Sequence, residues 1–215
     1  MAPWWAVPTP PVSLVLASQS PSRLRLLRAA GIEPEVEVSG VPEDGTDPAR
    51  PRDLVSILAR RKATAVAWRR ANGLVLGCDS ALELDGMAHG KPAGAAEAAQ
   101  RWRRMGGSEG VLHTGHCLID AATGRTAEGV ASTVVHFARL DEDDIDAYVR
   151  SGEPLTVAGA FTLDGLSAPF IDGVDGDPSN VIGLSLPLLR TLLGQLGVAI
   201  TSLWNRAPAP TGSHR

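Results

Sequence analysis

The chain has 215 residues, 44% of them hydrophobic and 20% charged, which is typical of a single globular domain in water. Its 24 acidic and 20 basic residues leave a net charge of −4, and this balance argues against binding to nucleic acid polymers, which favours a basic excess. No apolar stretch reaches the roughly 18 residues that a membrane span needs, so the sequence predicts none.

The two ends of the sequence differ in composition from the rest. Residues 1–11 contain four prolines and no charged side chain, and they lack the basic start of a secretory signal peptide. Residues 206–215 repeat the proline-rich pattern. We therefore expect a disordered arm over 1–11, one domain over 12–205 and a disordered tail over 206–215, with the protein in the cytoplasm.

Between these ends, short β-like apolar runs alternate with longer helical ones, a pattern that predicts an α/β domain. In chain order, the expected elements are a strand over 12–17, a helix over 22–30, a strand over 35–40, a helix over 52–71, a strand over 74–79, a hairpin turning at Asp85–Gly86, a helix over 95–105, strands over 111–120 and 126–139, and a short helix over 141–149. The two cysteines, Cys78 and Cys117, lie in apolar runs and are expected to be buried thiols.

Several patterns point weakly to other chemistries. Residues 86–91 resemble a P-loop, but the glycine spacing is one short and a proline follows where the metal-binding hydroxyl must stand. His113 and His116 lie three apart in a predicted strand, and so on opposite faces, which disfavours a shared metal. The acidic segment 172–177 is expected to be an irregular loop lining the site, and 183–187 a turn before a helix.

The junction between the first predicted strand and helix has the composition of an anion site. Ser18 and Ser20 supply hydroxyls next to the free N–H groups of a helix N-terminus, and Arg23 lies one turn into the helix. The alternative is an ordinary serine N-cap with Pro21 in the first helical position and Arg23 on a solvated face. These residues alone leave both interpretations open.

Three further residues have side chains suited to phosphate or metal chemistry. Asp79 closes the apolar run 74–79, and open α/β sheets place catalytic groups at the carboxyl ends of their strands. Its alternative role is to cap the turn that follows. Lys91 lies in a Gly-Lys-Pro tripeptide, whose restricted backbone would hold the ammonium in one place. Glu43 follows the second predicted strand and, taken alone, is a loop acid.

Taken together, these motifs resemble the Maf-like nucleotide pyrophosphatase family, also called septum formation inhibitor Maf. The motifs are LASQSPSRLRLL (16–27), LARRKA (58–63), GCDS (77–80), LDGMAHGKP (84–92), EPLTVAGAF (153–161) and GLSL (183–186). Their order and spacing match the family from about Leu14 to Leu196. The resemblance implies a single α/β domain, similar to inosine triphosphatases, in which helices flank a long twisted mixed sheet and two lobes enclose a nucleotide crevice.

The resemblance also implies an enzyme that cleaves nucleoside triphosphates, including non-canonical or modified ones, between the α and β phosphates. The products are a nucleoside monophosphate and pyrophosphate, and the cofactor is a divalent metal, Mg or Mn. Carried over by position, the general base is Asp79, the second acid is Glu43, the lysines are Lys62 and Lys91, and the phosphate-binding residues are Ser18, Ser20 and Arg23. A homodimer is implied by the family only.

These roles agree with the chemistry of phosphoryl transfer, which depends on positioning and on neutralising the charge of the substrate. Glu43 and Asp79 offer the carboxylate oxygens that Mg and Mn prefer, while Asp79 orients or deprotonates the attacking water. Lys62, Lys91 and Arg23 would bear on the triphosphate, with arginine suited to a bidentate grip and lysine to a point charge.

The departures from the family pattern concern the base. Members that prefer dTTP and UTP carry Arg, Thr and Gln where this chain has Ser22, Ser80 and Asp164, which argues against a thymidine or uridine preference. The family's usual Asp-Lys is replaced by Thr156–Val157, which removes a cation. A carboxylate at Asp164 could accept hydrogen bonds from guanine or meet the positive charge of 7-methylguanine.

Two other functions are compatible with the same residues. One is a regulatory binding protein that acts on cell division through partner contacts, without essential catalysis. The other is a nucleotide-binding protein without turnover, an alternative that the substitution at Val157 leaves open. Loss of turnover without unfolding in Asp79→Asn would separate the enzyme from both.

Overall fold

The computed structural model describes residues 12–42 and 50–204. The expected arm over 1–11, the expected tail over 206–215 and Glu43 lie outside the described residues.

Six α-helices and seven strands form the described part of the domain. The helices are Pro21–Ala29 (α1), Pro51–Ala67 (α2), Ala95–Met105 (α3), Glu142–Arg150 (α4), Pro178–Ile182 (α5) and Leu186–Gln195 (α6). The strands are Leu14–Leu16 (β1), Glu35–Val36 (β2), Leu74–Leu84 (β3), Met87–His89 (β4), Glu109–Asp120 (β5), Thr126–Phe137 (β6) and Ile171–Asp175 (β7). Short 3₁₀ turns occupy 153–156, 158–160, 168–170 and 200–203.

The strands form one mixed sheet in the order β2-β1-β3-β5-β6-β7, with β4 also paired to β3. β1 runs parallel to β2 and β3, whereas β3, β5, β6 and β7 pair antiparallel in sequence. The β3–β4 hairpin turns at Asp85 and Gly86, both with positive φ, as the Asp-Gly signal predicts. The predicted α/β class with a mixed sheet is confirmed.

One edge of β3 opens in the middle of the strand. β5 pairs with β3 along one edge, from Leu74 to Glu83. On the other edge, β1 pairs with residues 74–76 and β4 with residues 82–84. Residues 77–81 therefore have no strand partner on that edge within the described sheet. This opening between β1 and β4 contains Asp79 and Ser80.

Two separate apolar clusters lie on either side of the opening. The first joins the start of β3 to β1, α1 and α6, with Leu16, Leu27 and Leu189 fully buried. The second joins the end of β3 to α3, α4 and the 161–171 region around Trp102. Both clusters use even-numbered residues of β3, so they lie on the same face of that strand. These clusters form the two predicted lobes.

The other face of the sheet carries α2, which approaches β3 and β5 very closely. A Cβ built on Gly77 would overlap the carbonyl oxygen of Ala59, and one built on Gly115 would overlap that of Val55. Only glycine permits this separation. The small side chains Ala59 and Ala63 complete the contact against β3.

Two expected boundaries in the first half of the chain are wrong. The strand predicted over 35–40 is limited to Glu35–Val36, on the outer edge of the sheet. The helix predicted to reach residue 71 ends at Ala67. After the helix, Arg70 forms ion pairs with Glu35 and Glu37, at the shortened strand and just beyond it.

Two further expectations are wrong, because pairing with other strands extends regular structure beyond the predicted limits. The strand predicted to stop at Asp79 continues to Leu84, so Asp79 lies inside β3 rather than at its carboxyl end. The segment 172–177 is not an irregular loop, since most of it forms β7 against β6. Across the described residues, no helix is both long and apolar enough to cross a membrane.

Candidate active site

The first part of the site is the junction between β1 and α1. Ser20 is the N-cap of α1, its Oγ accepting from the N–H of Arg23 at 3.5 Å, and Pro21 occupies the first helical position. Ser18 lies two residues before the cap, and its Oγ accepts from the N–H of Ser20 at 3.2 Å. The capping role is thus confirmed, and it places both hydroxyls beside the N–H groups of a helix N-terminus.

Arg23 connects this junction to the rest of the site. Its Nε donates to the carbonyl oxygen of Gly183 at 2.7 Å, its Nη1 to Ser18 Oγ at 3.1 Å and its Nη2 to Ser80 Oγ at 3.0 Å. The side chain is buried, with 8% of the residue exposed. The alternative that placed Arg23 on a solvated face is wrong.

Arg23 differs from the other buried lysine and arginine side chains of the described chain. Lys62 pairs with Asp79, and Arg101 pairs with Glu97. Arg23 has only neutral acceptors, and no carboxylate in residues 12–42 or 50–204 forms an ion pair with it. Burying a guanidinium without a counterion is unfavourable, so this position favours an anion.

Asp79 and Lys62 form the second part of the site. Asp79 lies opposite Gly115 in the β3–β5 ladder and faces α2, where Lys62 lies. The Nζ of Lys62 is 2.5 Å from Asp79 Oδ1, and both side chains are about nine-tenths buried, with 9% and 11% exposed. Because neighbouring residues of a strand face opposite ways, Ser80 faces Arg23 instead. Groups from both faces of the sheet thus lie at the opening.

A buried chain of hydrogen bonds supports Ser80. Ser80 Oγ accepts from Arg23 and lies 2.9 Å from Thr114 Oγ1, which donates to the carbonyl oxygen of Asn180 at 3.2 Å. The side-chain amide of Asn180 donates to Thr133 Oγ1 at 3.1 Å. Since Thr114 donates to Asn180, Ser80 donates to Thr114. This direction leaves Ser80 Oγ as an acceptor that orients the guanidinium of Arg23.

Lys91 lies beside a contact between two of the motifs, residues 84–92 and residues 153–161. The carbonyl oxygen of Gly90 accepts from the N–H of Gly159 at 3.1 Å and from Nη1 of Arg101 at 2.6 Å. These bonds fix the backbone on the N-terminal side of Lys91. The side chain of Lys91 is exposed and has no hydrogen bond or ion pair with a described residue. It therefore does not bond to Arg23 or to the Lys62–Asp79 pair.

The residues expected to read the base fall into two connected groups. Nη2 of Arg25 lies 3.0 Å from both Ser22 Oγ and Asp164 Oδ2. Ser80 belongs to the group around Arg23. The prediction did not include Arg25, although its position three residues after Ser22 places both on one face of α1.

Among the predicted site residues, the structure thus brings together Ser18, Ser20, Arg23 and Ser80, pairs Lys62 with Asp79, and links Ser22 to Asp164. Thr114, Asn180 and Gly183 were missed by the sequence analysis, because they reach Arg23 and Ser80 only through long-range contacts. No local sequence pattern indicates that these three residues belong to the site.

Three buried titratable groups, His116, Cys78 and Cys117, are held neutral. Burial lowers the pKa of His116 to about 4, and the nearby guanidinium acts in the same direction. Its Nε2 accepts from the N–H of Ser185 at 2.9 Å, so the ring proton lies on Nδ1, 3.0 Å from the carbonyl oxygen of Thr114. Burial likewise raises the pKa of Cys78 to about 12 and that of Cys117 further. Both cysteines are buried thiols, as predicted.

Two open surface grooves lie outside this site. One, of about 520 Å³, is lined by Arg60, Thr64 and Glu128, and the Arg60–Glu128 ion pair already balances its charges. The other lies beside His136 and Asp172 at the opposite end of the sheet. Neither includes a predicted site residue. Within the described chain, no group of three histidine, cysteine, aspartate or glutamate side chains has a metal-binding arrangement.

Comparisons with known proteins identify the family of the chain. The model of the Maf-like protein family matches residues 13–196. A protein of Streptomyces coelicolor named nucleoside triphosphate pyrophosphatase is 60% identical over 204 residues, which cover 94% of this chain and 98% of the relative. Proteins of the same name from Salinispora tropica and Nocardia farcinica are 56% and 50% identical, covering 91% and 92% of this chain and 89% and 98% of their own lengths. The chain belongs to the Maf-like protein family.

Proposed function

We propose that the protein is a nucleoside triphosphate pyrophosphatase, which hydrolyses the bond between the α and β phosphates and releases a nucleoside monophosphate and pyrophosphate. Relatives that match nearly the whole chain carry this name. The observation that carries the proposal is Arg23. It is a buried cation with neutral partners at the opening between β1 and β4. A phosphate group supplies the negative charge that this position favours.

The phosphates bind at the β1–α1 junction in this proposal. The hydroxyls of Ser18 and Ser20 and the backbone N–H of Ser22 donate to phosphate oxygens, since Pro21 has no N–H and the N–H of Arg23 donates to Ser20. Arg23 uses the donors that its three protein bonds leave over. Lys91 is exposed on the far side of the opening and approaches the triphosphate from there. These cations reduce the repulsion between the substrate's charge and the attacking water.

Asp79 serves as the general base, accepting the proton of that water. The ammonium of Lys62, 2.5 Å from Oδ1, fixes the orientation of the carboxylate and balances its charge. The close packing of α2 on Gly77 and Gly115 is what brings Lys62 to this distance. Buried groups held by such contacts need little reorganisation during the reaction.

A divalent cation, Mg or Mn, fits the donor chemistry of the site, because both ions prefer carboxylate oxygens and Asp79 supplies one at the opening. We propose Glu43, outside the described residues, as the second carboxylate. When bound, such a cation withdraws charge from the phosphates and makes a bound water more acidic. Removal of metal with a chelator should therefore stop turnover.

Pyrophosphate release is the direct test of this function. The purified protein is assayed with Mg or Mn against ordinary, methylated and oxidised nucleoside triphosphates, alongside Asp79→Asn. We expect turnover in the wild type and a loss of at least about 100-fold in the variant, because the amide cannot accept the proton.

The matched control is Asp85→Asn. Asp85 lies in the β3–β4 turn, six residues away, and among the described residues it pairs only with the exposed Arg104. Asparagine also tolerates the positive φ found there. Its activity and melting temperature should match the wild type. Unchanged turnover in Asp79→Asn, or no pyrophosphate release from any nucleotide, would contradict the proposal.

A further inference from the structure

A serine, a histidine and a glutamate form a hydrogen-bonded triad across three neighbouring strands. Ser132 of β6 lies directly opposite His113 of β5, and its Oγ is 2.8 Å from His113 Nδ1. The other ring nitrogen, Nε2, is 2.9 Å from Oε2 of Glu83 in β3. The triad lies on the face of the sheet that carries α2, since Gly115, two residues after His113, packs against that helix. None of its three residues belongs to the site described above.

The three partners fix the direction of both hydrogen bonds. A glutamate carboxylate only accepts, so the ring proton lies on Nε2 of His113 and is donated to Glu83. The unprotonated Nδ1 then accepts the hydroxyl proton of Ser132. A serine hydroxyl is thus bonded to a base that a carboxylate orients, which is the arrangement that activates a nucleophilic serine.

The exposure of the three side chains suits this chemistry. His113 is buried, with 6% of the residue exposed, so packing and two hydrogen bonds hold its ring in one orientation. Ser132 is exposed, and a reactant can therefore reach its hydroxyl. All three residues lie on strands, which hold a catalytic group more precisely than loops do.

The N-terminus of α2 points toward Ser132. The helix packs on Gly77 in β3 and, at an earlier residue of the helix, on Gly115 in β5. Gly77 lies opposite Cys117, so the contact shifts by two residues along the sheet between the two strands. A further shift of the same size reaches the level of Ser132 in β6, a strand that α2 also contacts. The first turn of α2 thus continues toward Ser132.

That end of the helix offers a hydrogen-bond donor. Its N-cap residue, Arg50, makes no side-chain capping bond. The N–H groups of residues 53 and 54 bond to the carbonyl oxygen of Arg50, whereas the N–H of Arg52 has no acceptor among the described residues. This N–H and the positive end of the helix dipole can stabilise a negative oxygen that forms beside Ser132.

We propose that Ser132, His113 and Glu83 form a second catalytic centre, which hydrolyses small carboxylic esters. Ser132 Oγ attacks the carbonyl carbon while its proton passes to His113 Nδ1, and Glu83 stabilises the imidazolium. The bond to the alcohol then breaks, and the leaving oxygen takes the proton from His113. Water attacks the acyl-serine with the same proton transfers, which releases the carboxylic acid and restores the hydroxyl of Ser132.

A fluorophosphonate probe tests whether Ser132 is nucleophilic. Ser132 Oγ bonds to phosphorus and fluoride leaves, and peptide mapping by mass spectrometry locates the adduct. We expect Ser132 to be labelled at least about 100-fold faster than Ser202, an exposed serine whose hydroxyl donates to a backbone carbonyl. His113→Gln and Glu83→Gln should each slow the labelling of Ser132 by at least about tenfold.

Hydrolysis of p-nitrophenyl acetate measures the complete reaction. The wild type should release nitrophenolate over many turnovers, and Ser132→Ala should lose this release down to the uncatalysed rate. His136→Gln is the matched control, because His136 lies in the same strand as Ser132 and bonds to Asp175, but to no described serine. It should leave both the labelling and the turnover unchanged.

Pyrophosphate release separates this activity from the proposed function. Ser132→Ala should retain it, since Ser132 bonds to none of the residues that we assign to the phosphates, so either activity can fail without the other. No adduct at Ser132 in the wild type would overturn the proposal, and this result needs no variant to fold. So would labelling that persists at the wild-type rate in both His113→Gln and Glu83→Gln, because the triad would then only join the three strands.

Discussion

At the scale of single residues, the site depends on how buried charges are balanced. Lys62 and Asp79 balance each other across the interface between α2 and β3. Arg23 is held by a carbonyl and two hydroxyls, which fix its direction without neutralising it. This difference assigns separate roles to two cations of the same site. One positions a carboxylate, and the other provides charge for an anion.

His116 makes stability depend on pH. Burial lowers its pKa from an ordinary value of 6.5 to about 4, so the unfolded chain takes up the proton more readily. Its contribution is complete above pH 6.5 and is lost progressively as the pH falls toward 4. The full loss amounts to about 3 kcal/mol of unfolding free energy. Urea denaturation at pH 7.5 and pH 5 measures the part lost between these two pH values, about 2 kcal/mol.

In His116→Gln, the unfolding free energy should fall less between these two pH values than in the wild type, because the titrating group is absent. His136→Gln serves as the control, since His136 lies on the surface near Glu109 and Asp175. Its pH dependence should stay close to that of the wild type. Equal slopes in all three proteins would show that His116 does not carry the effect.

At the scale of elements, the contact of α2 with the sheet determines the geometry of the site. Gly115→Ala should lower the unfolding free energy by about 1–3 kcal/mol, because the added methyl overlaps the backbone of Val55 and α2 must move. That movement also displaces Lys62 from Asp79, so pyrophosphate release should fall as well. Thermal unfolding and the pyrophosphate assay check the two effects.

Gly194→Ala is a suitable control for the same substitution. Gly194 lies in α6, where the added carbon would meet no atom within 4 Å apart from its chain neighbours and the backbone of its own helix, and alanine favours a helix more than glycine does. This variant should be as stable as the wild type or more so. If Gly115→Ala were equally stable, α2 would be free to shift on the sheet, and the account of Lys62 would be wrong.

Elements defined by local chemistry were predicted well from the sequence. The β3–β4 hairpin follows from Asp85 and Gly86, and α3 from the helical pattern that ends at Met105. Asp79 was expected to end a strand because it closes the apolar run 74–79. The cation that permits it comes from α2, 17 residues earlier. Sequence patterns do not contain that contact.

The candidate site was predicted in part for the same reason. Motif resemblance identified Ser18, Arg23 and Asp79, whose contacts the structure then shows. It could not show that Arg23 bonds to Gly183 across 160 residues, or that Arg25 reaches Asp164 across 139. Such contacts depend on the packing of two lobes that no local pattern specifies.

At the scale of the whole molecule, the two lobes share β3 and β5 but have separate apolar clusters. The proposed phosphate grip at Ser18 and Arg23 belongs to the first lobe, whereas Lys91 and Asp164 belong to the second. A nucleotide that contacts both lobes binds only when both are folded around it. Binding should therefore stabilise each lobe against local opening.

Hydrogen exchange of the wild type with the α,β-methylene analogue of GTP tests this coupling. At 100 times the dissociation constant, amides whose exchange requires opening of the site should slow by up to about 100-fold, in α1 and in 158–166 alike. The β5–β6 turn around Thr123 and Gly124 lies away from the opening and provides an internal control. Protection confined to α1 would mean that the nucleotide contacts one lobe only, and Asp164 would then have no part in recognising the base.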